Sequence, residues 1–140
     1  MPQPVLTLEN NIRSMRIIYG VLLSAAIFYV LTAEKLFHHE AHDVHLIWLG
    51  FLVTGLTLVG VALFFRLKML QPAAETLQTN PDDQSALARW RIGNLLSCLL
   101  AEAGVLLGFA LRFMGGTTRQ SLPFYIIGIG LMLVWWPRRP

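Results

Sequence analysis

The chain has 140 residues, of which 55% are hydrophobic and 14% charged, with a formal net charge of +3. An average soluble domain carries about a quarter charged residues, so a water-soluble fold is disfavoured, and the single cysteine, Cys98, excludes an intramolecular disulfide or a Cys-rich metal centre. The charges gather between long apolar runs, which points to one integral membrane domain with no second, soluble unit.

A bilayer core of about 30 Å takes roughly 20 apolar residues per helix. Four segments qualify in chain order: 17–33, 46–65, 92–111 and 122–136. The last is short unless it borrows Gln120 and Ser121 or the bilayer thins around it. All four are expected to be helices, because backbone in lipid must satisfy its own hydrogen bonds. The expected fold class is therefore all-α, a four-helix transmembrane bundle.

The first segment follows Arg13 and Arg16 and could pass for a signal peptide. Its apolar run exceeds a usual signal core and "VLTAEK" lacks a small-x-small cleavage site, so it reads as a retained anchor. Topology follows from lysine and arginine placement. With both termini in the cytoplasm, Arg13, Arg16, Arg66, Lys68, Arg89, Arg91, Arg138 and Arg139 lie inside, and only Lys35, Arg112 and Arg119 lie outside. The basic isoelectric point near 9.5 is thereby explained by topology, and nucleic-acid binding gains no separate support. Trp48, Trp90, Trp135 and Trp136 fall at the expected membrane boundaries, where indole rings are favoured.

The first connection, "LFHHEAHDVHL", holds all four histidines. It is not a zinc-protease helix, since His42 follows His39 one residue too early for H-E-x-x-H. If the first helix continues outward, Glu34, His38, His42 and His45 share one face, a set that suits Zn²⁺ or an axial contact to a haem- or chlorophyll-type pigment. The plain alternative is a solvated outer loop, and four imidazoles also admit a pH response. The second connection, residues 66–90, is the longest polar stretch and is expected to be a cytoplasmic loop. Within it, Asn80 is expected to cap the third helix, with Pro81 in its first turn. In the last connection, Gly115 and Gly116 end one helix, and Ser121 to Pro123 open the next.

Inside the third segment, Glu102 lies near the expected bilayer midplane, where a charged carboxylate costs ~2.5–3.5 kcal/mol on insertion scales. Asn94 and Cys98 precede it at four-residue steps, and Ser24, Thr54 and Thr57 fall at similar depth. A protonated Glu102 donating to a threonine of the second helix would satisfy it. Arg112 is about 15 Å further along the helix, too far for an ion pair with Glu102. Such an acid serves either proton transfer or helix-to-helix adhesion. Gly93, Ser97, Ala101, Gly104 and Gly108 recur at helical spacing and give that helix a thin face for a close neighbour.

The stretch "LLAEAGVLLGFALRF" resembles the carboxylate helix of rotor-ring c subunits of ATP synthases, through Glu102, Ala103, Gly108 and Phe113. That resemblance covers residues 99–113 alone and implies an ion-binding role for Glu102. The chain as a whole, with its "WWPRRP" end, is similar to small four-span proteins of bacterial cytoplasmic membranes, a likeness that implies no activity. No nucleophile–base pair, phosphate loop or dinucleotide fingerprint is present, so an enzyme is not expected. The leading expectation is an accessory, non-catalytic subunit of a larger membrane complex, of the kind found in respiratory or photosynthetic electron transfer. Its partners would be membrane lipids and other membrane subunits. A small proton or cation carrier working through Glu102, and a metal-binding or metal-sensing protein working through the histidines, are the alternatives.

Overall fold

A computed structural model describes residues 8–36 and 44–138. The described residues are almost wholly helical and contain no strand. Helix α1 spans Leu8–Leu36, α2 His45–Phe65, α3 Gln71–Thr79, α4 Gln84–Phe113 and α5 Thr118–Val134. Between α2 and α3, residues Arg66–Leu70 form a π-helical turn, so the chain runs helically from His45 to Thr79.

The expected loop over residues 66–90 is therefore helix on both sides of a short turn. Leu70, Ala73 and Leu77 recur at steps of three and four and give the extension an apolar stripe. That stripe buries against Ala86, Leu87 and Trp90 of α4 and against Ile12 and Met15 of α1. A polar average hid an amphipathic helix. Trp90 accordingly sits in this cluster, 3% exposed, and does not line a lipid boundary.

The start of α4 also moves from its expected place. Asn80 accepts the Asp83 N–H in a turn, and Asp83 is the cap, its Oδ1 accepting from the N–H groups of Ser85 and Ala86 at 2.9 and 3.0 Å. The Ala86 N–H first, and then the Ser85 hydroxyl, hold the Asp83 carboxyl below the usual carboxylate range. Pro81 belongs to the turn before the helix.

At the other end of α4 the glycine stop is a Schellman arrangement. Gly115 has φ 92°, the Gly116 N–H reaches the Leu111 carbonyl at 2.9 Å, and the Gly115 N–H reaches the Arg112 carbonyl at 3.1 Å. α5 begins earlier than expected, at Thr118, because Thr117 and Gln120 form a capping box. Pro123 thus lies inside α5, in its second turn, where it cannot donate the intrahelical hydrogen bond to the Arg119 carbonyl.

Helices α1 and α4 run parallel: Tyr19 meets Asn94, Tyr29 meets Phe109, and Glu34 meets Arg112. α2 and α5 run antiparallel to them, giving an up-down-up-down order. α4 is the central element and touches every other helix, whereas α1 and α2 have little direct contact. α1, α2 with its extension, and α4 are each long and apolar enough to cross a membrane. α5 has 17 residues, about 26 Å of helix, and is shorter than that class.

The closest approach is between α4 and α5. A methyl group added at Gly128 would lie 2.5 Å from Val105 Cγ2 and 2.8 Å from the Ala101 carbonyl oxygen, both within the α4 backbone's reach. The same addition at Gly130 would meet nothing within 4 Å. Gly128→Ala should therefore destabilise the bundle by about 1–3 kcal/mol through overpacking, and Gly130→Ala should be neutral or slightly favourable. Thermal denaturation of the two purified variants in one detergent checks the contrast.

Candidate functional site

Two acidic side chains inside the bundle organise its polar chemistry, and they are solved in opposite ways. The first is Glu34, in the last turn of α1. Arg112, in the last turn of α4, donates from Nε to Glu34 Oε1 at 3.1 Å and from Nη2 to Oε2 at 3.5 Å. Its Nη1 donates to the Gly116 carbonyl at 2.8 Å, and Thr118 Oγ1 donates to Glu34 Oε2 at 2.8 Å. The Arg112 side chain is 10% exposed and that of Glu34 32%. Three helices, α1, α4 and α5, are thus tied at one end of the bundle by a single planar ion pair.

This arrangement was not anticipated from the residue pattern. The residue pattern relates Arg112 to Glu102 alone and places Glu34 with the histidines. The signal was present in the parallel α1–α4 register, which needs the long connection between them to be known. Glu34 is here engaged by a guanidinium and a hydroxyl. His45 is the first residue of α2, not a continuation of α1, and packs edge-on against Trp48 at 5.9 Å. Glu34 and His45 therefore do not share one helical face. His38 and His42 lie outside the described residues, and among the described residues no group of three potential metal ligands comes together.

The second acid is Glu102, 9% exposed, in the middle of α4. Its stripe on α4 holds Asn94, Cys98 and Phe109, and that stripe faces α1. Tyr19 of α1 donates its hydroxyl to the Asn94 carbonyl oxygen at 2.9 Å, and Asn94 Nδ2 donates back to the Trp90 carbonyl at 3.0 Å. Cys98 is fully buried with Tyr19 and Ala26. Partners on the two helices are separated by 75 to 80 positions, which brings the middle of α1 alongside Glu102. Among the described residues no hydrogen bond reaches its carboxyl group.

The polar residues expected to satisfy Glu102 point elsewhere. Thr54 and Thr57 are exposed on α2 and donate to the Gly50 and Val53 carbonyls of their own helix, each at 2.9 Å. Ser24 is exposed on α1 and donates to the Gly20 carbonyl at 2.8 Å. Hydroxyls that bond back to the preceding turn are satisfied within their own helix, and they leave Glu102 without the threonine partner.

The small residues of α4 divide between neighbours. Gly93 lies under Leu70, and Ser97 is buried and donates to the Gly93 carbonyl at 2.7 Å. Ala101, Gly104 and Gly108 admit α5, through Gly128 and through the rings of Phe124 and Tyr125. Compared with protein-family models, curated proteins and solved structures, the chain has no significant match.

Removing the carboxylate of Glu34 leaves the Arg112 guanidinium with one carbonyl at a mostly buried position. Glu34→Ala is expected to destabilise the protein by about 1–3 kcal/mol, the lower part of the range for a broken buried pair because Glu34 is partly screened. The double variant Glu34→Ala/Arg112→Met should recover part of that loss. A double-mutant cycle on thermal stability measures the coupling.

Proposed function

We propose that the chain is embedded in a membrane as a four-span bundle, both termini cytoplasmic, and serves as a non-catalytic subunit of a larger membrane assembly. The long apolar helices and the basic residues gathered at one end support the embedding and its orientation. α5, shorter than the others, would span with local thinning of the bilayer.

The observation that carries the assembly reading is α2. Of its 21 residues only Ala62 is buried, and within the bundle it packs mainly on α4, with Phe124 of α5 against Gly55 and Trp48 donating to the Gln120 carbonyl. Its outward side presents Gly50, Thr54, Thr57 and Gly60, and methyl groups at Gly50 or Gly60 would meet nothing. Lipid gives no hydrophobic drive for helix association, so thin faces that let backbones approach are what partner helices use. A subunit docking there would complete the coverage that α2 lacks. In mild detergent the protein should co-migrate with other membrane chains, and Gly50→Leu with Thr54→Leu should release it. A free monomer, indifferent to those substitutions, would overturn the assembly reading.

A second reading, proton or cation transfer, rests on Glu102 itself. Among the described residues Glu102 is a mostly buried acid that no hydrogen bond reaches, and its place above Cys98, Asn94 and the Tyr19 hydroxyl fits a group that takes up and releases a cation at mid-depth. Glu102→Gln should abolish pH- or cation-driven flux in vesicles while the helical content is kept. Unchanged flux would remove this reading.

A further inference from the structure

We propose that the corner formed by Arg16, Arg66 and Trp135 binds the phosphate headgroup of an anionic phospholipid. The inference rests on the membrane embedding proposed above. Three apolar segments end at this one level: Ile17 follows Arg16, Phe65 precedes Arg66, and Val134 precedes Trp135. The guanidinium of Arg66 lies over the Trp135 ring, 4.9 Å from its centroid. It is half-buried, and among the described residues its buried Nη1 has no hydrogen-bond partner. From α1, the exposed Arg16 donates through Nε to the Pro137 carbonyl at 3.3 Å, which brings a second guanidinium to the same segment. Tyr19 closes the space between them, edge-on to Trp136 with centroids 6.1 Å apart.

Among the described residues neither arginine has a carboxylate partner, and the ion pair of the bundle, Glu34 with Arg112, is at the opposite end. Glu9, two turns before Arg16, lines a shallow depression with Arg13 and Arg16 but pairs with neither. Two guanidinium groups, one already oriented by an indole ring, match the paired oxygens of a phosphodiester. Indole rings and arginines at the end of an apolar helix also mark the headgroup level. Below Arg16, the exposed apolar side chains of Ile17 and Val21 offer a path for the acyl chains. That path favours a lipid over free phosphate.

The test uses the full chain in detergent, with bound lipids counted by native mass spectrometry. Phosphatidylglycerol should be retained over phosphatidylcholine by on the order of twentyfold, from about fivefold for each arginine beside an anionic headgroup. Arg16→Gln and Arg66→Gln should each reduce that preference about fivefold, and Arg91→Gln, at the same end but away from Trp135, should not. Should Arg66→Gln fail to fold, Arg16→Gln carries the test, because its side chain is exposed. Equal retention of the two lipids, equal loss in Arg91→Gln, or displacement of the lipid by inorganic phosphate alone would each overturn the site. Release of the chain from vesicles by an alkaline wash would sink the membrane reading itself, whereas a chain that stays embedded and shows no lipid preference sinks only the site.

Discussion

The close approach of α4 and α5 is the contact on which the rest of the bundle depends. With Ala101, Gly104 and Gly108 on one helix and Gly128 on the other, the two backbones meet where ordinary side chains would hold them apart. In a lipid solvent that approach gains dispersion contacts that burial alone would not supply. It also makes α4 central, since a helix thin on one side can be packed on the others without separating its neighbours. α1 then lies along the Asn94–Cys98–Glu102 stripe, and α2 rests on the side that remains. The Glu34–Arg112 pair and the Schellman turn at Gly115 fix the far ends once this register is set.

Much of that arrangement was legible in the residues. The helices and their approximate order followed from the apolar runs, because a span must be long and continuous to cover a bilayer core. The small-residue spacing of α4 pointed to a close neighbour, but not to which helix. What escaped detection was local and relational. The extension over α3 was masked because its polar residues outnumber Leu70, Ala73 and Leu77, whose periodicity has meaning only against Trp90 and Met15. The cap at Asp83 was displaced from Asn80 because both residues accept hydrogen bonds, and the turn at Pro81 decides which one does so for α4. The ion pair between residues 34 and 112 depends on two helices being parallel, which no local pattern states.

The polarity of the bundle follows from the same packing. At one end lie the basic residues of α1, of the turn after α2 and of the C-terminal segment, and among the described residues Arg16 and Arg66 have no carboxylate partner there. The Arg66 guanidinium lies over the Trp135 ring, and Tyr19 packs edge-on against Trp136 beside it. At the other end, one arginine is neutralised by one glutamate and anchored to the Gly116 carbonyl. An orientation with the basic end in the cytoplasm uses the first end to hold the chain against an anionic surface. At the second end the buried Arg112 needs no such surface, because Glu34 compensates its charge within the fold.

That compensation makes Glu102 the more informative of the two acids. Glu34 is explained by geometry: it binds three helices together, and replacing it weakens a structural joint. Glu102 binds nothing among the described residues, although hydroxyls exist at comparable depth on α1 and α2. Those hydroxyls bond to their own helices, so the bundle satisfies them without drawing on the acid. A carboxyl group with no hydrogen bond among the described residues contributes little adhesion there, and an alanine or leucine would carry no desolvation cost. Adhesion between helices therefore does not account for the residue within this chain. On the two readings proposed above, its partner would be a group that comes and goes, as a proton or cation does, or a helix that this chain meets in an assembly.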